Sequence, residues 1–470
     1  MVKLRFLIVS YFLLISFTSL AGRVVFKGDI PDYAGHKLEF LTYSDQITFT
    51  ERLLCSAIVD STGKFDCSFE TDETIYVFAH LGVYEAFIFV EPDKEYILLF
   101  PEKKDKSTAD RLNPYFEPEL YHLGVENSSD NELNYLLAWF NHEYTKMFEA
   151  NAYLIYIKSS AFNALTEINK VDSIFKNIDN PFFNDYKTYT FAAFLHISNH
   201  QKSRSISDSY YLKNKVLYNN KAYMQLFNQV YDKFFGYFGR TENGEKIYSD
   251  IGKLKSITAL KNTLGSDEIL KNDTLKELVI LKCLHDEFYD DKISRSAMLI
   301  VLDSLALQTK IAEHKIIAEN IRKKVTRLMV GFEPPYFELL DKDSNMVSLQ
   351  KYRGKYVYLG FCVSLSYACI QEFEMLRKLY ERQHQNFEIV IISMDDNLAQ
   401  MKNFIEKKDY PFTFLYYGNQ SEVFKEFDIR AVPTYYFIDK EGKLALSPAA
   451  TPGENIEYYI FNVMRKNGDI

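Results

Sequence analysis

The run FDIRAVPTYYFIDKEGKLALS, residues 427–447, sets two β-rich segments, TYYFI and LALS, on either side of a polar turn, KEGK. That pattern predicts a pair of strands. Pro433 has no backbone N–H to give to a ladder, so it belongs at the head or the edge of the first strand. Working back along the chain, NLAQMKNFIEKK (397–408) has helical spacing and FEIVIISMD (387–395) is the unbroken apolar run of a buried strand. CIQEFEMLRKLYERQ (369–383) is again helical, and MVSLQKYRGKYVYLGF (346–361) ends in another strand. Alternating strands and helices of this kind predict an α/β region over residues 330–470.

Between that last strand and its helix lies FCVSLSYACIQEFEML, residues 361–376. With the lead-in residues Pro335, Phe337, Leu339, Gly354 and Lys355, and with V-P-T at 432–434, the region resembles the thioredoxin-like domains of the TlpA/ResA type, relatives of the AhpC/TSA family. The resemblance implies a cis bond at Pro433, packed beside the cysteine site. It also implies that Val432, Pro433 and Thr434 present backbone to which an extended peptide adds as a strand. The family motif is C-x-x-C-x-x-E, and here it reads S-Y-A-C-I-Q-E, with Ser366, Cys369 and Glu372 at the three defining positions.

Thiol–disulfide exchange needs one thiolate to attack and a second thiol to resolve the mixed disulfide. A helix N-terminus lowers a cysteine pKa, but it does not make a serine hydroxyl a comparable nucleophile at neutral pH. The ordinary two-cysteine cycle is therefore not expected. Three uses stay open: binding alone, with Cys369 buried and inert; partial redox chemistry through Cys369 or through a Cys362–Cys369 pair; and peroxidase-like chemistry, because Ser366-x-x-Cys369 resembles the T-x-x-C of peroxiredoxins. The last lacks the proline those enzymes carry, since Cys362 stands at that position. Glu372 is the carboxylate that the family uses to adjust cysteine ionisation, though a glutamate in a first helical turn is also stabilised by the dipole.

At the other end, MVKLRFLIVSYFLLISFTSLAG has a basic start at Lys3 and Arg5, an apolar run, and small residues at Ser19 and Ala21. It predicts a signal peptide over residues 1–21, and hence an exported protein of the periplasm or cell envelope with no membrane span after cleavage. Residues 22–108 are short β-rich runs broken by Asp, Gly, Ser, Thr and Pro, which predicts an antiparallel β domain. Within it, VDSTGKF predicts a hairpin loop pairing Asp60 with Lys64, Ala57 with Cys67 and Cys55 with Phe69. In that register Cys55 and Cys67 are diagonal neighbours about 7–8 Å apart, so two free, buried thiols are expected. Residues 109–329 have helical spacing and few glycines, predicting a helical middle domain; Thr274 and Glu277 fit a capping box at the head of one helix. His196 and His200 lie four apart but have no third ligand nearby, and read as ordinary helix residues.

The chain of 470 residues carries a formal charge of −9, which becomes −11 once Lys3 and Arg5 are removed, and has no concentrated basic window. Nucleic acid is excluded as an expected partner. No cofactor or metal is expected, and the expected partners are proteins or peptides, some of them thiol-bearing.

Overall fold

The structure is a computed structural model and describes residues 22–470 apart from 114, 127 and 419. The expected signal peptide lies outside the described residues. Nine strands open the described chain: β1 (Gly22–Asp29), β2 (Lys37–Tyr43), β3 (Glu51–Ile58), β4 (Lys64–Thr71), β5 (Ile75–Leu81), β6 (Tyr84–Val90), β7 (Glu95–Leu99), β8 (Glu119–His122) and β9 (Gly124–Val125). They form two sheets, β4-β1-β7-β9 and β3-β2-β5-β6-β8, mostly antiparallel, with parallel pairings of β1 with β7 and of β6 with β8. β8 and β9 lie past the expected boundary at residue 108. They extend the β region because β6 and β7 otherwise present unpaired edges.

The sheets face one another over Val24, Phe26, Phe40, Val77, Ile88 and Tyr96, with the rings of Phe26 and Phe40 only 4.7 Å apart. Side chains alternate across a strand, and on β5 both faces are covered. Val77 and Ala79 point into the sandwich, while Tyr76 and Phe78 join the core of the helical region. Lys221, at the head of the helix Lys221–Val230, places its ammonium 3.9 Å from the Tyr76 ring centroid.

The expectation of free thiols at Cys55 and Cys67 is overturned: the two form a disulfide, with their Cα atoms 6.0 Å apart. The turn forms, since the Asp60 N–H donates to the Lys64 carbonyl at 2.9 Å and Gly63 takes φ +92°. Beyond it the strands part. β3 pairs with β2 and β4 pairs with β1, opposite sheets of the sandwich. The diagonal spacing of a continuous hairpin therefore never applies, and the bridge ties one sheet to the other.

Helices from Leu133–Tyr156 to Ala312–Thr326 make up the middle of the chain around one aromatic-rich core. The expected capping box is also corrected. The helix Asp273–Asp286 is capped by Asn272, whose Oδ1 accepts the Leu275 N–H at 3.1 Å. Glu277 instead turns inward to Lys261, Thr309 and His314, at 2.6, 2.8 and 2.9 Å. A carboxylate with three such partners has no reason to fold back onto a helix end.

The C-terminal sheet holds β10 (Leu339–Asp341), β11 (Met346–Val347), β12 (Tyr356–Cys362), β13 (Phe387–Ser393), β14 (Thr413–Tyr416), β15 (Thr434–Ile438) and β16 (Leu444–Ala449), in the order β11-β10-β14-β13-β12-β15-β16. β12, β13 and β14 run parallel, with β15 and β16 antiparallel beside them. All seven residues of β12 are buried, as its unbroken apolar sequence requires. The helices Tyr367–Gln383, Leu398–Lys408 and Ile456–Lys466 supply the remaining apolar stripes of this core. Among the described residues no helix is long and apolar enough to cross a membrane.

Candidate functional site

β12 delivers Cys362 at its last position, and the chain turns through Val363–Ser366 into the helix Tyr367–Gln383. Ser364 anchors that turn, because its N–H and Oγ both donate to Asp395 Oδ1, at 2.9 and 2.7 Å. Asp395 is buried and also accepts Ser393 Oγ at 2.6 Å. Ser366 is the N-cap: its Oγ accepts the Cys369 N–H at 3.5 Å, satisfying one of the free amides of the first turn. Leu365 and Tyr367, on either side of it, are each 77% exposed.

Cys369 stands one turn inside with no exposed surface, and Cys362 is 1% exposed. Neither is in a disulfide. The Cys362 thiol hydrogen-bonds to Cys369 and is the main reason that the Cys369 pKa falls to about 7; burial opposes this, and the amide of Val363, 3.4 Å from Sγ, adds to it. Cys362 is driven the other way: burial pushes its thiol well up, and the bond to Cys369 raises it further. The proton therefore stays on Cys362 and the charge, when it forms, sits on Cys369. Tyr435 Oη lies 3.9 Å from Cys362 Sγ, and its ring stacks on Tyr358 at 4.8 Å.

Glu372 lies in the same cluster. Burial raises its carboxyl, its Oε2 has no hydrogen-bond partner among the described residues, and its charge acts on Cys362, Tyr358 and Tyr435. Val432, Pro433 and Thr434 are half-buried at the head of β15, with Thr434 opposite Phe361 and so next to the end of β12. The Val432–Pro433 bond is cis, and Thr434 Oγ1 donates to the Ala431 carbonyl at 2.6 Å.

The structure thus gathers Cys362, Ser366, Cys369 and Glu372 at one strand-to-helix junction, with residues 432–434 on the neighbouring strand. Asp395, Tyr358 and Tyr435 were not foreseen. Tyr435 could have been, since in an antiparallel pairing of Phe361 with Thr434 it falls opposite Gly360 and becomes the diagonal, same-face neighbour of Cys362. Chemically, a thiol with a pKa near 7 is half ionised at neutral pH, yet a side chain with no exposed surface cannot reach a disulfide on another protein without local opening. Among the described residues no group of three or more His, Cys, Asp or Glu is placed to hold a metal.

Residues 330–447 match the model of the AhpC/TSA family. The thiol-disulfide oxidoreductase ResA of Bacillus cereus (strain ATCC 10987 / NRS 248) is 27% identical over 122 residues, 26% of this chain and 70% of that protein. ResA of Geobacillus thermodenitrificans is 29% identical over 129 residues, 27% of this chain and 74% of that protein. Among solved structures, the thioredoxin domain of a thiol-disulfide oxidoreductase from Bacteroides vulgatus is 23% identical, with a TM-score of 0.26, covering 29% of this chain and 96% of its own. The C-terminal region of this chain is therefore similar to the AhpC/TSA family and to thiol-disulfide oxidoreductases of the ResA type.

Proposed function

We propose that this chain is an exported protein of the periplasm or cell envelope that binds extended segments of partner proteins along Val432–Thr434, without a two-cysteine exchange cycle. One observation carries the reading: the position where the family attacks its substrate holds Ser366, a helix cap, while Cys369 behind it has no exposed surface. The exposed Leu365 and Tyr367 and the half-buried 432–434 loop offer apolar and backbone surface to a partner. The test pairs two measurements on the native chain. It should bind an unfolded, alkylated polypeptide, and lose that binding in Thr434→Arg, while showing no reduction of a protein disulfide. Absence of binding sinks the reading.

A second reading rests on the hydrogen-bonded thiols. Cys362 and Cys369 could close to a disulfide, giving up two protons and two electrons to a partner disulfide that becomes two thiols. The lowered pKa of Cys369 favours it. Site-resolved thiol labelling of the native protein, with and without reductant, separates the two: protection of both cysteines that reductant removes supports the pair.

A further inference from the structure

Pro433 and Thr434 line a cleft of about 1170 Å³ between the C-terminal sheet and the helical region. Its far wall is Tyr289, the head of the helix Arg295–Gln308, and the end of the helix Ala312–Thr326 with the residues that follow. Small-molecule sites run to roughly 300–1,000 Å³, so the space suits a segment of polypeptide.

The charge of the cleft runs against that of the chain. In a protein of net charge −9, five cations line it, Lys233, Arg295, Lys324, Arg327 and Arg430, against the carboxylates of Asp232, Asp286 and Asp428. Two of those carboxylates are engaged: Asp286 by Lys282 and His285, and Asp428 by Arg430 at 3.0 Å. Among the described residues Arg327 pairs with Glu426, at 3.4 Å. Among the described residues neither Lys233 nor Arg295 is in an ion pair with a carboxylate, and Arg295 lies 4.9 Å from the Tyr289 ring centroid. The Lys324 ammonium donates to the Thr48 carbonyl at 2.6 Å, and its pKa is held below the ordinary value by burial and then by the charge of Arg327, with Asp45, Asp286 and Glu426 acting the other way. Between the charges the lining is apolar, with Leu328, Met329 and Ala431.

We infer that this cleft receives an acidic, extended polypeptide segment, whose backbone pairs at Val432 and whose carboxylates meet Arg295 and Lys233. The inference rests on the peptide-binding reading of the 432–434 loop and adds to it the class of partner. Complementary charge of this sort steers encounter and sets which segment is accepted.

The test measures, by fluorescence anisotropy with the full chain, a labelled peptide of Glu, Val and Thr and the same peptide with Gln for each Glu. The acidic peptide should bind about tenfold more tightly or better, a difference of about 1.4 kcal/mol, and the preference should shrink as salt is raised. The double variant Lys233→Glu/Arg295→Glu should lose the preference while still binding the Gln peptide. Its retained affinity for that peptide, with an unchanged thermal transition, shows that it folds; should it unfold, Lys233→Gln/Arg295→Gln takes its place. Thr434→Arg should abolish binding of both. Equal affinity for the two peptides, with both lost in Thr434→Arg, overturns the acidic partner and leaves the groove standing. Failure of both peptides to bind the unmodified chain overturns both readings. A preference that survives the charge variants, or tighter binding of a single-stranded oligonucleotide than of the acidic peptide, overturns this cleft as an acidic-peptide site.

Discussion

Cys55 and Cys67 are bonded to each other, whereas Cys362 and Cys369 are hydrogen-bonded thiols in a fold whose relatives are named for thiol–disulfide chemistry. The first pair sits on strands that leave a common turn for opposite sheets, and the bond closes the gap between those sheets. The second pair sits where a buried strand hands over to a helix, and shares a single proton-donating contact inside one core. The bonded pair restrains the chain. The unbonded pair sets an ionisation. Which role a pair takes follows from the strands and helices that present it, and the motif alone does not decide it.

The largest effect should come from Ser366→Cys. It places a thiol at the helix N-terminus with Cys369 one turn behind, and reduction of a protein disulfide should rise from background by on the order of 10³-fold, a modest share of what a missing nucleophile can cost. No gain would show that the 432–434 loop no longer accepts thiol substrates. Next in size is the double variant Cys55→Ser/Cys67→Ser. Releasing a bridge across a separation of 12 residues should cost about 3 kcal/mol, read as a lower urea midpoint for the β region. An unchanged midpoint would mean that the two sheets hold together without the bond.

Cys362→Ala sharpens the comparison from the other side. It removes the donor that most stabilises the Cys369 thiolate, so the Cys369 pKa should rise from about 7 toward its ordinary 9.0, followed by thiolate absorbance against pH. The stability consequence has a definite sign. A depressed folded pKa contributes stability that is fully present above the ordinary value and is lost as pH falls through about 7. The unmodified protein should gain stability on this account between those values, and the variant should gain less. A Cys369 titration that stays at its original value would remove Cys362 as the cause. Smallest of all is Tyr367→Ala, at a side chain that is 77% exposed: stability should change by no more than about 0.5 kcal/mol, while affinity for an unfolded polypeptide falls. Unaltered affinity would place the partner away from the helix N-terminus.

The order of strands and helices in residues 330–470 was legible because periods of two and of 3.6 are local properties of a chain. Ser366, Cys369, Glu372 and Cys362 were legible for the same reason, as they occupy one continuous strand–turn–helix segment. Tyr358, Tyr435 and Asp395 come to that site from other positions and strands, and only the pairing of β12 with β13 and β15 brings them there.

Asn272 and Thr274 both suit a helix cap by composition, and the choice fell to Asn272 once Lys261, Thr309 and His314 claimed Glu277 from other parts of the chain. The sequence by itself determined the alternation of elements, the polar turn at Asp60–Lys64 and the serine three residues before Cys369. Tertiary structure alone decided that β3 and β4 part, that both faces of β5 are buried, that Cys369 loses its surface and that a basic cleft opens beside Pro433. Local pattern limits what each segment can become. The partner each face finds depends on contacts between residues far apart in the chain, whose burial and hydrogen bonds are settled only when the segments pack.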